Sequence, residues 1–499
     1  MTSSQGLYSV AQVRAFDAHA ISVLGVPGYT LMRRAGEAAL RALRSRWPTA
    51  MQIAVIAGGG NNGGDGYVVA RFARAAGLEV ELLAMVAPGA LQGDARRAAD
   101  DYLASGGTVR AYKPSDLAAV LASAEVLVDA LLGTGLHDPV RPEWRAVIEA
   151  LNAAGKPILA LDLPSGLDGD SGAALGAAVR ADATITFVAP KTGLYLGDGP
   201  EYAGRVLFDD LEVSPPEGDA SRPVFERLDE SDIARALPRR GRAAHKGDFG
   251  RVLLIAGGPG MAGAARLAGE ACLRSGAGLV NVATAPENVT AIIAGRPELI
   301  CFGVATAAEL AAPLTAATVV AIGPGLGTGA WSRALLEAAM AAGKPIVMDA
   351  DALNLLAASG TRPPSGALLT PHPGEAGRLL GVSSAAVQAD RRAALAQLVA
   401  RTGATVVLKG AGTLMGAPGR VPALCTRGNP GMAAPGMGDV LTGAIAGILA
   451  QCGDAWLAAR AGVMAHALAG DDLGRQGGGR GMLALEVAEG LSRWVNVAG

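Results

Sequence analysis

Aromatic and charged residues are both scarce in this chain of 499 residues, at 4% and 18% of the sequence. So few aromatic side chains argue against a surface on which nucleic-acid bases stack. The charges nearly balance, with a net charge of -2, and the sequence contains no basic run and no acidic tail. We therefore expect no nucleic-acid partner, and we expect any anionic ligand to be held by a local site.

Cysteine and histidine are too few and too dispersed for a disulfide framework or a zinc site. The four cysteines, Cys272, Cys301, Cys425 and Cys452, form no Cys-X-X-Cys pair, and the five histidines are widely spaced. We expect buried, reduced thiols and no zinc.

Long apolar runs are also lacking. Residues 1–20 include Arg14 and Asp17 and contain no apolar core of a signal peptide. Elsewhere glycine, proline or charge breaks each apolar stretch before about 18 residues, the length that spans a membrane. These features predict a cytoplasmic protein without a membrane partner.

Hydrophobic residues, at 50%, and glycine, at 70 positions, are what the sequence has in abundance. Strand-like apolar runs alternate with helical segments, a pattern that predicts mostly parallel sheets covered by helices on both faces. The proline-rich segment 212–223 interrupts this alternation. We therefore predict a two-domain α/β protein with domains of residues 1–225 and 226–499. Predicted strands that end in a motif are 52–57, 126–131, 158–163, 252–256, 318–322, 346–348 and 406–408.

The segment Asn61–Gly66 (NNGGDG) is the most specific feature of the first half. It lies between a predicted strand and a helical pattern over 67–76, the order that opens a βαβ unit. Glycines permit positive φ angles and close approach of a ligand, and the helix start suits a phosphate. Asn and Asp oxygens suit a small cation. The alternative is an ordinary turn, which needs neither two asparagines nor an aspartate.

Two more strands of the first half end in polar residues. Asp129 precedes a loop that runs to Gly135, and Asp162 precedes Ser165 and Gly166. Each motif alone is weak, because Asp before Gly is common in turns. Together with the NNGGDG segment, three polar strand ends at one edge of a sheet predict a pocket.

With residues 189–194 (APKTGL), these motifs resemble the NAD(P)H-hydrate epimerase domain over residues 8–215. The resemblance implies a Rossmann-like doubly wound sheet and a K⁺ ion held by Asn62, Asp129 and Ser165. It also implies that a set of residues binds the hydrated dinucleotide. These are Asn61, Asn62, Gly63, Gly64, Asp65, Gly133, Thr134, Gly135, Leu136, His137, Asp138, Pro139 and Asp162.

The implied chemistry points to one catalytic carboxylate. Epimerisation at C6 of the reduced nicotinamide ring requires reversible proton transfer and stabilisation of a transient cation, and a carboxylate near the ring serves both needs. Asp162 is therefore the expected catalytic residue of the first half. Lys191 is either a second participant or a solvated lysine at a strand end.

In the second half, a glycine-rich turn at 428–439 (GNPGMAAPGMGD) leads into an apolar helical pattern over 440–449. Backbone N–H groups of Gly436–Gly438 at such a helix start can form an anion site. Asp439 beside the anion can deprotonate a hydroxyl that attacks phosphorus, so the motif predicts phosphoryl transfer. The alternative is an aspartate that only caps a helix, but three glycines around such a cap are unusual.

Other strand ends in the second half carry supporting residues. The segment Lys409–Thr413 (KGAGT) offers ammonium, hydroxyl and backbone groups to nucleotide phosphates. His372 stands between two prolines, which favours a binding role. Asp349 and Asp351 either hold Mg²⁺ through water or are structural.

The Gly-X-Gly-Asp turn resembles the ribokinase-like fold. With residues 246–250 (KGDFG), 323–327 (GPGLG) and 370–375 (TPHPGE), it resembles the ADP-dependent NAD(P)H-hydrate dehydratase over residues 230–495. The implied reaction phosphorylates the C6 hydroxyl from ADP and then eliminates phosphate, which restores NAD(P)H and leaves AMP, with Asp439 as the catalytic residue. The residues expected at the hydrate are Ala264, Gly325, His372 and Asp439. Those expected at the nucleotide are Lys409, Gly410, Ala411, Gly412, Thr413 and Gly438.

Two other functions are compatible with the sequence. The second half is alternatively a kinase for a sugar or a vitamin precursor, although residues 432–435 (MAAP) replace the Asp-Thr pair usual in sugar kinases. The first half is alternatively a non-catalytic binding module, which would need neither Asp162 nor NNGGDG. The resemblance favours repair of hydrated NADH and NADPH: epimerisation of the R and S hydrates, and ADP-dependent dehydration of the S hydrate. It implies K⁺ and Mg²⁺ as cofactors, ADP as co-substrate, and a homo-oligomer.

Overall fold

The computed structural model describes residues 6–496 and contains two compact units, divided between Phe225 and Glu226. The N-terminal unit has strands β1 (Gly6–Leu7), β2 (Gln52–Ala57), β3 (Glu79–Ala84), β4 (Val109–Ala111), β5 (Val126–Ala130), β6 (Ile158–Leu161), β7 (Ala183–Phe187) and β8 (Arg205–Asp209). Its helices are α1 (Val10–Ser22), α2 (Gly28–Arg46), α3 (Asn61–Ala75), α4 (Gly93–Ala104), α5 (Pro114–Ser123), α6 (Pro142–Ala153) and α7 (Gly199–Ala203).

The sheet of the N-terminal unit is fully parallel and doubly wound. Its order is β4-β3-β2-β5-β6-β7-β8. The chain therefore moves outward from β2 to β4 and then resumes on the other side of β2 at β5. The crevice beyond the carboxyl ends of β2 and β5 is the point at which such sheets bind ligands.

Both faces of this sheet are covered, as the apolar strands predicted. Along β2, Ile53 and Val55 pack with α1–α4, whereas Ala54 and Ile56 pack with α5 and α6. Successive side chains of a strand point to opposite faces, so a strand buried on both sides is apolar throughout.

The C-terminal unit contains a second parallel sheet with an antiparallel extension. Its strands are β9 (Phe225–Arg227), β10 (Arg251–Ile255), β11 (Leu279–Thr284), β12 (Ile300–Gly303), β13 (Val319–Ile322), β14 (Ile346–Met348), β15 (Leu368–Leu369), β16 (Thr405–Leu408), β17 (Thr413–Gly416) and β18 (Ala423–Cys425). The order is β9-β18-β17-β16-β15-β14-β13-β10-β11-β12. Only the pairs β16–β17 and β17–β18 are antiparallel. The carboxyl ends of β10, β13, β14, β15 and β16 therefore share one edge.

Helices cover this sheet as well. They are α8 (Ser231–Ala236), α9 (Ala262–Arg274), α10 (Val289–Gly295), α11 (Ala311–Ala316), α12 (Ala330–Ala341), α13 (Ala350–Ser359), α14 (Pro373–Leu380), α15 (Ser384–Ala389), α16 (Arg391–Thr402), α17 (Met437–Cys452), α18 (Ala455–Gly477) and α19 (Ala484–Trp494). Helices α9, α17, α18 and α19 share one apolar core with the strands. The two-domain α/β class with parallel sheets is thereby confirmed.

Two local expectations need correction. Cys272 and Cys425 are buried, but Cys301 and Cys452 are only partly so, and all four thiols are free. The helix predicted at 440–449 begins at Met437, because Gly436 adopts a φ of 87° and starts the helix earlier. Among residues 6–496, no helix combines the length and hydropathy needed to cross a membrane.

Candidate active sites

A cavity of about 1000 Å³ opens at the carboxyl edge of the N-terminal sheet. The predicted substrate residues on its wall are Asn61, Asn62, Asp65, Gly133, Thr134, Gly135, Leu136, His137, Asp138, Pro139 and Asp162. Asp17 and Lys191 also line it. The fold thus brings three separate strand ends and helix α1 around one cavity.

The NNGGDG segment is helical, which corrects the prediction of a glycine loop. Helix α3 begins at Asn61, and only Gly58–Gly60 form the turn after β2. Gly63 and Gly64 are absent from the cavity wall because they pack elsewhere: a Cβ on Gly63 would lie 2.1 Å from the Gly58 carbonyl oxygen, and one on Gly64 would meet Met32. These glycines serve close helix packing rather than a positive φ.

Asp162 and Lys191 form an ion pair on the cavity wall. Asp162 follows β6 in a left-handed conformation, with a φ of 63° that non-glycine residues rarely adopt. Lys191 is 1% exposed and donates a further hydrogen bond of 2.8 Å to the Phe187 carbonyl oxygen. A solvated lysine, the alternative interpretation of Lys191, is therefore wrong.

Asn62, Asp129 and Ser165 converge beneath the cavity. Ser165 Oγ donates to Asp129 Oδ1 at 2.5 Å, and Ser165 N donates to Asp129 Oδ2 at 2.8 Å. Asn62 Nδ2 donates to the Leu132 carbonyl oxygen at 2.9 Å, and Leu132 N donates to Ser165 Oγ at 2.8 Å. Burial raises the pKa of Asp129 to about 6, and the buried Asn62 Oδ1 has no hydrogen-bond partner among residues 6–496. An unpartnered buried oxygen beside a buried carboxylate fits a cation.

Two further carboxylates line this cavity with Asp162: Asp65, which the sequence predicted at the substrate, and Asp17, which it did not. Burial raises the pKa of Asp17 to about 6, with Lys191 lowering it and Asp162 raising it. Burial also raises the pKa of Asp65 well above its usual value, and Asp162 and Asp17 add to the effect. A sequence signal for Asp17 existed: it lies at helical spacing between Val13 and Ala20, on the buried face of α1.

In the C-terminal unit, the buried pair Lys409–Asp349 occupies the carboxyl edge of the sheet. Lys409 Nζ donates to Asp349 Oδ1 at 2.7 Å, and Thr442 Oγ1 donates to Asp349 Oδ2 at 2.8 Å. Burial alone would lower the pKa of Lys409, but Asp349 and Glu375 raise it above its ordinary value. Lys409 therefore remains an ammonium, and both oxygens of Asp349 are occupied.

Asp439 lies in the first turn of α17, half-buried beside this pair. Its pKa is raised to about 7, first by burial and then by Asp349, with Lys409 acting in the opposite direction. A Cβ on the neighbouring Gly438 would lie 3.3 Å from Lys409 Nζ, so only glycine leaves that approach open. The start of α17 thus combines free backbone N–H groups with a carboxylate whose pKa is close to neutral pH.

The remaining predicted residues lie at the same sheet edge. His372 begins α14, where its Nδ1 accepts a hydrogen bond of 2.9 Å from Gly374 N, and its imidazole is half-exposed. Burial and Lys409 lower the pKa of His372. Gly325 follows β13, and its φ of 56° brings it so close to Ala264 that a Cβ would meet the Ala264 Cβ at 2.9 Å.

The segment after Lys409 turns between the antiparallel strands β16 and β17, a hairpin that no sequence pattern predicted. Gly410 and Ala411 are exposed, and Thr413 Oγ1 donates to the Gly410 carbonyl oxygen at 3.1 Å. The backbone of this turn is therefore accessible to a ligand, whereas the Lys409 ammonium points back towards Asp349.

Asp351 is engaged in hydrogen bonds in the same way as Asp349. Its Oδ2 accepts a hydrogen bond of 2.7 Å from Gly327 N, and its Oδ1 accepts one of 3.2 Å from Asn354 Nδ2. Because the Lys409 ammonium already balances the charge of Asp349, and Asp351 bonds to Gly327 and Asn354, the structure favours the structural alternative for this pair over Mg²⁺ binding.

Comparisons with known proteins agree with both units. The family described as NAD(P)H-hydrate dehydratase matches residues 252–493, and the family described as YjeF-related protein N-terminus matches residues 28–193. A ribokinase-like superfamily protein of Enterococcus faecalis V583 is 31% identical, with 55% of this chain and 95% of that chain covered and a TM-score of 0.50.

Two relatives resemble the chain over nearly its whole length. Both are named bifunctional NAD(P)H-hydrate repair enzyme Nnr. The Coxiella burnetii protein is 46% identical, covering 98% of this chain and 99% of its own, and the Escherichia coli protein is 43% identical, covering 97% and 93%. The chain belongs to the family of bifunctional NAD(P)H-hydrate repair enzymes.

Proposed function

We propose that the N-terminal unit interconverts the R and S C6 hydrates of NADH and NADPH, and that the C-terminal unit dehydrates the S hydrate with ADP. The proposed function of the C-terminal unit rests on the position of Asp439. Its carboxylate, with a pKa raised to about 7, lies in the first turn of α17 beside Lys409 and Asp349. A base of this pKa at a helix N-terminus suits proton removal next to a bound phosphate.

The proposed dehydration proceeds in two steps. Asp439 takes the proton of the C6 hydroxyl. The oxygen of that hydroxyl attacks the terminal phosphorus of ADP, and AMP leaves. The C6–O bond then breaks, phosphate departs, and loss of a proton from C5 restores the C5–C6 double bond. Backbone N–H groups at Gly436–Gly438 stabilise the charge on the transferring phosphoryl group. The exposed turn at Gly410–Thr413 and Gly438 contact the nucleotide, while Ala264, Gly325 and His372 contact the hydrate.

In the N-terminal unit, the 1000 Å³ cavity holds the hydrated dinucleotide. Asn61 and Asp65, together with residues 133–139, form its wall, and Asp162 stabilises the cation that develops on the ring. Asn62, Asp129 and Ser165 would hold K⁺. A K⁺ ion there would offset the buried charge of Asp129 and fix the loops that carry these residues.

Incubation of the full chain with each purified hydrate tests the proposal. With ADP, the S hydrate should regain the near-ultraviolet absorbance of NADH at once, and the R hydrate should do so after a lag set by epimerisation. ATP in place of ADP measures the nucleotide preference. If neither hydrate recovers, while a hydroxymethylpyrimidine or a sugar is phosphorylated, the C-terminal unit is a small-molecule kinase instead.

The cation is tested by thermal unfolding in K⁺ against Na⁺ or a bulky organic cation. K⁺ should raise the melting temperature of the wild-type chain but not that of N62A, which lacks the unpartnered buried oxygen. An equal response of both chains to K⁺ would exclude Asn62 as a ligand.

A further inference from the structure

Asp17 is a carboxylate on the cavity wall that no group within residues 6–496 holds, a property that it shares with Asp65, Asp94 and Asp138. It reaches the cavity from α1, whereas Asp162 follows β6 and Asp65 lies in α3. Within residues 6–496, its carboxylate takes part in no hydrogen bond and no ion pair. It lies close enough to Lys191 and Asp162 to interact with both electrostatically.

Asp162 is arranged differently. Its Oδ1 accepts hydrogen bonds from the Lys191 ammonium, from Phe187 N at 3.2 Å and from Thr186 Oγ1 at 3.3 Å. Three hydrogen bonds to this one oxygen, one of them from the Lys191 ammonium, fix the carboxylate in place beside the cavity. The fixed carboxylate of Asp162 therefore suits the stabilisation of a cation.

The chemistry of epimerisation needs both kinds of carboxylate. An acid protonates the C6 hydroxyl, the C6–O bond breaks as the N1 lone pair forms an N1–C6 double bond, and water leaves. Water then adds to the other face of C6 and returns its extra proton to the same acid–base pool. One group must thus give and take a proton, while another stabilises the cationic ring.

We propose that Asp17 is the proton-transferring carboxylate of the epimerase site and that the Asp162–Lys191 pair is its electrostatic partner. This inference rests on the proposed epimerase function and moves the acid–base role from Asp162 to Asp17. The charged and titratable groups that face Asp17 are Lys191, Asp162 and Asp65. Burial raises the pKa of Asp17 to about 6, with Lys191 lowering it and Asp162 raising it, and burial raises the pKa of Asp65 well above its usual value. Burial thus favours the protonated forms of Asp17 and Asp65, so a proton is available within the cavity.

Substitution of Asp17 by asparagine tests the inference, because it removes the proton transfer while preserving shape. D17N should lose about 10²- to 10⁴-fold in the rate at which the R hydrate becomes the S hydrate, measured by chromatography and corrected for the spontaneous reaction. Dehydration of pure S hydrate with ADP should stay at the wild-type rate. D100N, which removes an exposed carboxylate that pairs with Arg96 on α4, should change neither.

The outcomes distinguish the proposed epimerase function from the proposed role of Asp17. A wild-type chain that does not epimerise the hydrates refutes the proposed function, whereas an active wild type with an equally active D17N refutes the role of Asp17. If D17N does not fold, D17E decides: it should shift the pH dependence of epimerisation near pH 6, and a profile identical to that of the wild type would overturn the inference.

Discussion

Both units bury a lysine against an aspartate at the carboxyl edge of a parallel sheet, but the two pairs serve different ends. In the pair Lys191–Asp162, the aspartate side chain is 17% exposed and faces the cavity. In the pair Lys409–Asp349, the aspartate is 1% exposed and both its oxygens are occupied. The first pair presents a charge to the ligand, and the second positions its neighbours.

The comparison shows how each site brings the pKa of one carboxylate close to neutral pH. In each unit burial, and after it the paired aspartate, raises the pKa of a second, unpaired carboxylate while the lysine lowers it; the pKa reaches about 6 for Asp17 and about 7 for Asp439. Like charges in a poorly solvated place disfavour a second negative charge. The lysine forms an ion pair with one aspartate in each unit, and the second carboxylate has no such partner within residues 6–496.

Removal of the unpaired carboxylate of the C-terminal unit should have the largest effect. D439N keeps the side-chain shape but cannot take the hydroxyl proton, so we expect ADP-dependent dehydration of the S hydrate to fall about 10²- to 10⁴-fold. E337Q, an exposed substitution on α12, is the matched control. Epimerisation should be unaffected in both. A D439N chain with wild-type dehydration would mean that the two sites are not built alike.

Loss of the lysine should distinguish the two pairs by stability. K409M leaves the carboxylate of Asp349 buried without its counter-charge, which costs about 3–5 kcal/mol. K191M leaves Asp162 on the cavity wall, where water reaches it, and should cost less. Calorimetry of the full-length variants measures both, and K409M combined with D349N should recover most of the loss. Equal destabilisation by K191M and K409M would erase the contrast.

The pH dependence of the two reactions should differ in position. Dehydration needs ionised Asp439, so its rate should fall about tenfold for each pH unit below about 7 and level off above it. Epimerisation by Asp17 should change near pH 6 instead. Rates of both reactions in one buffer series, with the S hydrate and the R hydrate, check the offset. Coincident profiles would contradict separate assignments to the two carboxylates.

The strands that the sequence predicted lie close to observed strands, because strands buried on both faces are continuous apolar runs. The strand 346–348 coincides with β14, and 52–57 coincides with β2. Prediction from the sequence failed where tertiary packing overrides local preference. The segment Asn61–Gly66 contains three glycines, which disfavour a helix. Helix α3 nevertheless includes all of it, because Gly63 allows close contact with the turn after β2 and Gly66 allows close contact with the strands.

The site was predictable in so far as motifs mark strand ends. Asp129, Asp162 and Ser165 follow or end strands, and neighbouring parallel strands bring their carboxyl ends together. Asp17 carries no such mark, because its neighbours in the cavity are remote in sequence and only the packing of α1 on the sheet joins them. The same holds for Thr442, which reaches Asp349 from α17.

The smallest expected effect concerns the stability cost of Asp439 itself. Its folded pKa of about 7 lies above the ordinary value of 3.8, so the folded state binds the proton more tightly than the unfolded state. Stability from this group is therefore lost as pH rises from about 4 to about 7, and D439N, which carries no charge, should escape that loss. Above pH 7 we expect D439N to melt higher than the wild type, by roughly 2–4 °C per kcal/mol gained, and near pH 4 the two should coincide. D17N should show the same gain at smaller size, because the pKa of Asp17 is raised less. Calorimetry measures the melting temperatures. If D439N melts lower than the wild type above pH 7, this carboxylate stabilises the fold instead of destabilising it.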